Sequence, residues 1–280
     1  MSGTFPADWL ALREPADAAA RCPAVMASAA AHLEGMEAPR ICDLACGTGA
    51  TLRGLAPLLP RRQHWRLVDH DPALLARARR LLAAWADRSA EDGPALAIEK
   101  AGRHISVTFR QADLARDPRA WGADTDMVTA SALFDLTSEC WMDGLARRLV
   151  ADRVPLLALL TYDGRAALTP PDAADERVIA AVNRHQRRDK GFGPAAGPDA
   201  AAVLARCLTD HGWRVDRGES DWRLGEPDTP LMMRTIEGWC AAAAEDGAPA
   251  ALLEHWMAER RRGLRALSVG HVDLFARPAS

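Results

Sequence analysis

The sequence predicts an α/β protein built on a seven-stranded, mostly parallel sheet with helices on both faces. Three observations predict it. From residue 40 onward, short apolar runs alternate with amphipathic helical stretches, the pattern of strands joined by crossover helices. One run, "RVPLLALLTY" (153–162), is apolar throughout, as expected of a central strand covered on both faces. Finally, a glycine turn, "CGTG", ends the first strand and an aspartate ends the second, the arrangement that places a ligand beyond the carboxyl ends of parallel strands.

Taken in order, residues 1–39 read as an N-terminal helical cap interrupted by Pro15 and Pro23. "RICDLA" (40–45) is the first strand, and "ATLRGLAPLL" (50–59) is a helix that Pro60 stops. "HWRLVDHD" (64–71) is the second strand, and "PALLARARRLLAAWADRSA" (72–90) is a long amphipathic helix with Pro72 in its first turn. "HISVTFRQADL" (104–114) alternates as the third strand. "TDMVTASAL" (125–133) is the fourth, followed by the helix "SECWMDGLARRLV" (138–150) and then the fifth strand. A helix over 172–188, a Gly/Pro loop over 191–198 and a helix over 199–212 lead to a sixth strand, 213–224, and a seventh, 266–278. Between the last two strands, residues 226–265 exceed what a hairpin needs and read as a helical insertion, a usual origin of lids. The organisation expected is thus a cap (1–39), a ligand-binding core (40–165) and a substrate-side part (166–280) within one continuous domain.

Composition narrows the function. The 280 residues carry a formal net charge of −3, which gives no electrostatic footprint for nucleic acid. Six cysteines scattered through a chain long enough to bury a core suggest reduced, cytoplasmic usage, and no apolar run is long enough to span a bilayer. Cys42 and Cys46 are four apart, but no histidine cluster completes a tetrahedral set, so no metal is expected.

The glycine turn and the aspartate after the second strand together imply a ligand with a ribose: backbone approaches the ligand closely at the turn, and a carboxylate accepts from both hydroxyls. The glycine spacing departs from G-x-G-x-x-G, because only Gly47 and Gly49 are present before Gly54, which argues against a pyrophosphate. The segment Asp43, Leu44, Ala45, Cys46, Gly47, Thr48, Gly49, the "LVDHDP" containing Asp69 and His70, the "RQADLA" containing Asp113 and Leu114, and strands of the types "TDMVTASAL" and "LLALLTYDG" occur in order. In these features the chain resembles the class I, Rossmann-like, S-adenosylmethionine-dependent methyltransferases over about residues 30–165. The resemblance implies a methyltransferase that uses S-adenosyl-L-methionine and releases S-adenosyl-L-homocysteine. It places Asp43 and Ala130 near the methionine end, and Ala45, Gly47 and Gly49 along the cofactor backbone. Asp69 and His70 fall at the ribose, and Asp113 and Leu114 at the adenine.

Methyl transfer asks little of the protein beyond holding a nucleophile in line and removing a proton where one must leave. Tyr162, the only tyrosine, follows the fifth strand, and it either orients the acceptor or packs beneath the insertion. "VNRHQRRDKGFGP" gathers Arg184, His185, Arg188 and Lys190, one of only two lysines in the chain. This run is either an anion clamp or a basic helix end that offsets the helix dipole. Trp222, ending the sixth strand, either stacks on substrate or packs in the core, and Arg13 either reaches the cofactor carboxylate or lies on an exposed helix. The expected acceptor is a small anionic or zwitterionic molecule, with no nucleic-acid or membrane partner and with a homodimer possible. A protein methyltransferase and a non-catalytic cofactor-binding module are the alternatives.

Overall fold

The structure, a computed structural model, describes residues 6–279. Two helices open the chain, α1 (Ala7–Ala20) and α2 (Pro23–Leu33). Pro23 occupies the first turn of α2, where a missing N–H costs nothing. Pro15 does not break α1 as the sequence predicts; the helix runs through it. Contacts on either side of the proline hold it in place: Trp9 against Trp222, Glu14 paired with Arg53, and Arg13 paired with Asp17. Tertiary packing here outweighs the local cost of a proline.

The core strands are β1 (Arg40–Leu44), β2 (Arg62–Asp69), β5 (Arg103–Gln111), β6 (Met127–Ser131) and β7 (Leu156–Thr169). They pair in parallel in the order β5-β2-β1-β6-β7. On the far side, β10 (Ala266–Pro278) returns antiparallel between β7 and β8 (Trp213–Glu219), and short β9 (Trp222–Leu224) pairs with the start of β10. The expected sixth strand is thus divided in two at Ser220–Asp221. The fifth is longer than predicted: β7 is buried from Leu156 through Tyr162 and continues to Thr169, across residue 165.

Helices α3 (Ala50–Leu55), α4 (Pro72–Trp85), α5 (Glu139–Asp152), α6 (Asp175–Gln186) and α7 (Ala200–Thr209) connect the strands. Asp71 caps α4 by accepting from the Ala73 N–H at 2.8 Å, and Ser138 caps α5 through the Trp141 N–H. One part of the predicted architecture is corrected. The helix expected over 72–90 ends at Trp85, and a hairpin follows, β3 (Arg88–Asp92) and β4 (Ala95–Lys100), turning at Gly93 with φ +57° and adding two antiparallel strands beside β5. Arg79 on α4 fastens it by pairing with Glu91 and donating to the Pro94 carbonyl. The sheet therefore has ten strands: the hairpin pair and eight that make up the seven predicted, the sixth being divided in two.

Two apolar layers cover the sheet, one around Phe134, Leu145 and Leu204 and the other around Leu52, Trp65 and Leu82. A third core lies under the insertion, where α8 (Thr229–Glu245) and α9 (Ala250–Gly263) pack on α6 through Met232, Ile236, Trp256 and Val178. At its centre Asp175 accepts from Trp256 Nε1 at 2.8 Å and from Arg260 Nη2 at 3.0 Å.

Candidate active site

The order of the parallel strands reverses at β1, which lies between β2 and β6, so the crevice beyond the carboxyl ends of these strands is where the fold places a ligand. The turn after β1 is shaped for close approach. Ala45, Gly47 and Gly49 all have positive φ (+51°, +54° and +80°), and Gly49 opens α3 from the left-handed region. Asp69, buried at the end of β2, accepts from the Gly47 N–H at 2.9 Å and from the Asp71 N–H at 3.0 Å. The half-exposed His70 ring stands 3.3 Å from Asp69 Oδ1, the oxygen that accepts from Asp71. Helix α1 crosses this turn: a methyl group built on Gly47 would stand 3.2 Å from Leu10 Cδ1.

Asp43 is fully buried near the end of β1 and accepts from the Thr129 hydroxyl at 2.7 Å, while its Oδ2 has no hydrogen-bond partner. Burial pushes its pKa up to about 7 against the pull of Thr129 and Arg21. Asp113 is exposed after β5 and caps its own turn through the Ala115 N–H. Leu114 is buried, and its carbonyl accepts from Trp141 Nε1 at 2.9 Å. Ala130 lies in β6 between Leu44 and Ala158, one residue before the strand ends.

Where β10 pairs with β7, Tyr162, His271 and Trp222 form an aromatic row, with centroids 6.2 Å and 5.4 Å apart, which Trp9 of α1 extends. Trp222 does not face open space. It is buried, donates to Asp17 at 2.9 Å, and carries Arg13 4.9 Å above its ring. Arg13 is itself held by both oxygens of Asp17. The core-packing alternative thus describes Trp222 in this structure. Tyr162 donates to Asn183 Oδ1 at 2.7 Å, and burial raises its pKa well above the ordinary value, so the phenol is a donor and not a base. Replacing Tyr162 with Phe leaves Asn183 short of one partner and should cost about 1–2 kcal/mol in urea denaturation, with little change in catalytic rate. Burial first, then Arg13, lowers the His271 pKa to about 3, so its ring is neutral.

The basic run is dispersed by its partners. Arg184, His185 and Arg188 reach the C-terminal end of α8, bonding to Asp246, Glu245 and the Glu245 carbonyl at 2.9, 2.9 and 2.7 Å. Cations at a helix C-terminus offset its dipole, so three of the four proposed clamp residues fasten the insertion to α6. Arg187 pairs with Asp199. Lys190 is the exception and makes no ion pair among the described residues. Asp189 holds its loop by accepting from the Gly191 and Gly193 N–H groups, and Phe192 stands edge-on against Trp141 at 5.2 Å. Sequence reading overlooked Asp135, in the turn Phe134–Leu136 just beyond β6, which is buried among these elements.

No protein-family profile and no curated protein matches the chain. Solved structures do. A cyclopropane-fatty-acyl-phospholipid synthase-like protein from Lactobacillus casei is 16% identical, with 98% of this chain and 95% of that one covered at a TM-score of 0.52. The YcgJ protein from Bacillus subtilis is 13% identical over 92% and 99%, at 0.50. The chain shares the Rossmann-like α/β fold of these structures. Within this fold, β1, β2, β5, β6 and β7 are the five parallel strands, and the β3–β4 hairpin and the α8–α9 insertion are additions to them. No helix among the described residues is long and apolar enough to cross a membrane.

Proposed function

We propose that the protein transfers a methyl group from S-adenosyl-L-methionine to a small anionic or zwitterionic acceptor. The observation that carries this reading is the Gly47–Asp69 contact, which sets a left-handed glycine turn and a buried carboxylate side by side where the strand order reverses. The residues present fit the cofactor: at Gly47 and Gly49 the turn presents backbone without side chains, and Asp43 keeps an unpartnered buried oxygen. Asp69 and His70 would hold the ribose, Asp113 and Leu114 the adenine, and Asp43, Ala45, Gly47, Gly49 and Ala130 the methionine portion. The cofactor, when bound, supplies a methyl carbon already activated on a positively charged sulfur. Residues 40–165 hold it, while the cap and residues 166–280 enclose the acceptor.

The chain's own part is positioning. Tyr162, fixed by Asn183, and His271 would border the acceptor space, with Trp222 packed behind them in the core. Lys190, half-buried and without an ion-pair partner among the described residues, offers its charge to an acceptor anion. Lys190→Ala should raise the acceptor KM about tenfold and leave S-adenosylhomocysteine affinity unchanged in calorimetry. Incubation with methyl-labelled S-adenosylmethionine and a cell extract split by size tests the whole reading. Label in the metabolite fraction supports it; label confined to macromolecules overturns the small-molecule acceptor, and label in neither overturns the transferase.

A further inference from the structure

We infer that Asp135 takes the proton from the acceptor, which makes the methylated atom a nitrogen or oxygen that carries hydrogen. This rests on the methyl-transfer reading above and adds to it a catalytic residue and a chemical class of substrate.

Position comes first. Asp135 lies in a single turn just beyond the carboxyl end of β6, alongside β7, on the side of the sheet where the strand order places ligands. Its neighbours in that turn, Leu133 and Phe134, are apolar and buried, and Asp135 itself is only 7% exposed. A carboxyl group so deeply buried is ordinarily satisfied by hydrogen bonds. Here Oδ1 is buried with no partner. The acid caps no helix and makes no ion pair among the described residues; the fold engages it only through backbone N–H groups, that of Tyr162 among them, and leaves Oδ1 free. A buried acceptor without a partner at this end of the sheet is the arrangement a donor on a bound ligand would complete.

The surroundings favour that use. The Tyr162 backbone from β7, Arg13 from α1 and Lys190 from the loop after α6 each favour the ionised form. Neither cation closes on it: Arg13 is committed to Asp17, and Lys190 acts from a distance. Burial opposes them and dominates, pushing the Asp135 pKa up to about 6. The group is therefore ionised at neutral pH and still basic enough to accept a proton. Competing bases are weaker candidates. Tyr162 donates a hydrogen bond to Asn183 and holds its proton firmly, Asp43 accepts from Thr129 and is assigned above to the methionine portion of the cofactor, and the neutral His271 ring resists protonation because burial and Arg13 disfavour its cation.

The step balances. As the acceptor's lone pair bonds to the methyl carbon, the carbon–sulfur bond breaks and its electron pair stays on sulfur. The acceptor's N–H or O–H bond gives its proton to Asp135 Oδ1 and leaves its electrons on the acceptor atom. The resulting carboxylic acid returns the proton to water when product leaves.

The test uses the full chain and Asp135→Asn. Because the exchange removes a buried, unpaired charge, the variant should fold with an equal or higher thermal midpoint and bind S-adenosylhomocysteine as wild type does. With no ligand present, infrared difference spectra from about pH 4 to about pH 8 should show a carboxylic acid band titrating near 6 in wild type and missing in the variant. With methyl-labelled cofactor and the metabolite fraction as acceptor, kcat/KM of wild type should rise with pH through about 6 and then level, since only the ionised form accepts. Asp135→Asn should lose about a hundredfold or more together with that rise, and Asp135→Glu should restore the rise. An active Asp135→Asn with an unchanged profile, a band that titrates near an ordinary aspartate, or a product methylated on carbon would each overturn the role. Wild-type protein that labels no fraction would instead sink the methyl-transfer reading on which the role stands.

Discussion

Asp69→Ala should abolish measurable S-adenosylhomocysteine binding in titration calorimetry. The side chain has two tasks: it accepts from the Gly47 and Asp71 N–H groups at 2.9 and 3.0 Å and, in the proposed complex, from both ribose hydroxyls. Each charge-assisted bond is worth about 1.5–3 kcal/mol, so losing the set weakens binding by about a hundredfold at the least. The Gly47 amide also loses its acceptor, which frees the turn that must meet the ligand. Asp69→Asn separates the two tasks. An amide oxygen still accepts from Gly47 while the charge is gone, and the loss should be intermediate. Wild-type affinity in the alanine variant would mean that the ribose lies elsewhere.

The largest stability effect is expected far from that turn, at Asp175. Its carboxylate joins Trp256 and Arg260 of α9 to the start of α6, and Arg260 also donates to the Pro170 carbonyl. Arg260 is 3% exposed, so Asp175→Ala strands a buried guanidinium and should cost about 3–5 kcal/mol in urea denaturation. Combining Asp175→Leu with Arg260→Met removes both charges and should recover most of that loss, because the penalty arises from the unpaired charge and not from the absence of the pair. Since α6 also carries Asn183 to Tyr162, the single variant loosens the acceptor wall as well.

The parts legible in the sequence are those whose meaning is local. The glycine turn, Asp69 at a strand end and the buried run of β7 each declare themselves within ten residues. The β3–β4 hairpin did not, because every residue of β3 is exposed and no alternation marks it, so it reads as the tail of α4. The basic run was visible, but Glu245 and Asp246, which engage Arg184, His185 and Arg188, lie about sixty residues away and meet them only when the insertion folds back. Asp135 was invisible for the same reason. Its burial and its missing partner are products of α1, β7 and the Lys190 loop closing around one turn, and no spacing in the sequence announces them.

The two ends of the sheet share a further property. At one end β3 presents Arg88, Glu91 and Asp92 to solvent, and at the other β8 presents Arg214, Arg217 and Glu219 in a strand of seven residues. Short, charged border strands are poor templates for another backbone, since a joining chain must desolvate those charges before it gains its hydrogen bonds. The hairpin that lengthens the sheet therefore also insulates β5, with its apolar Ile105 and Val107, from strand addition. It thereby guards the border of the sheet against aggregation.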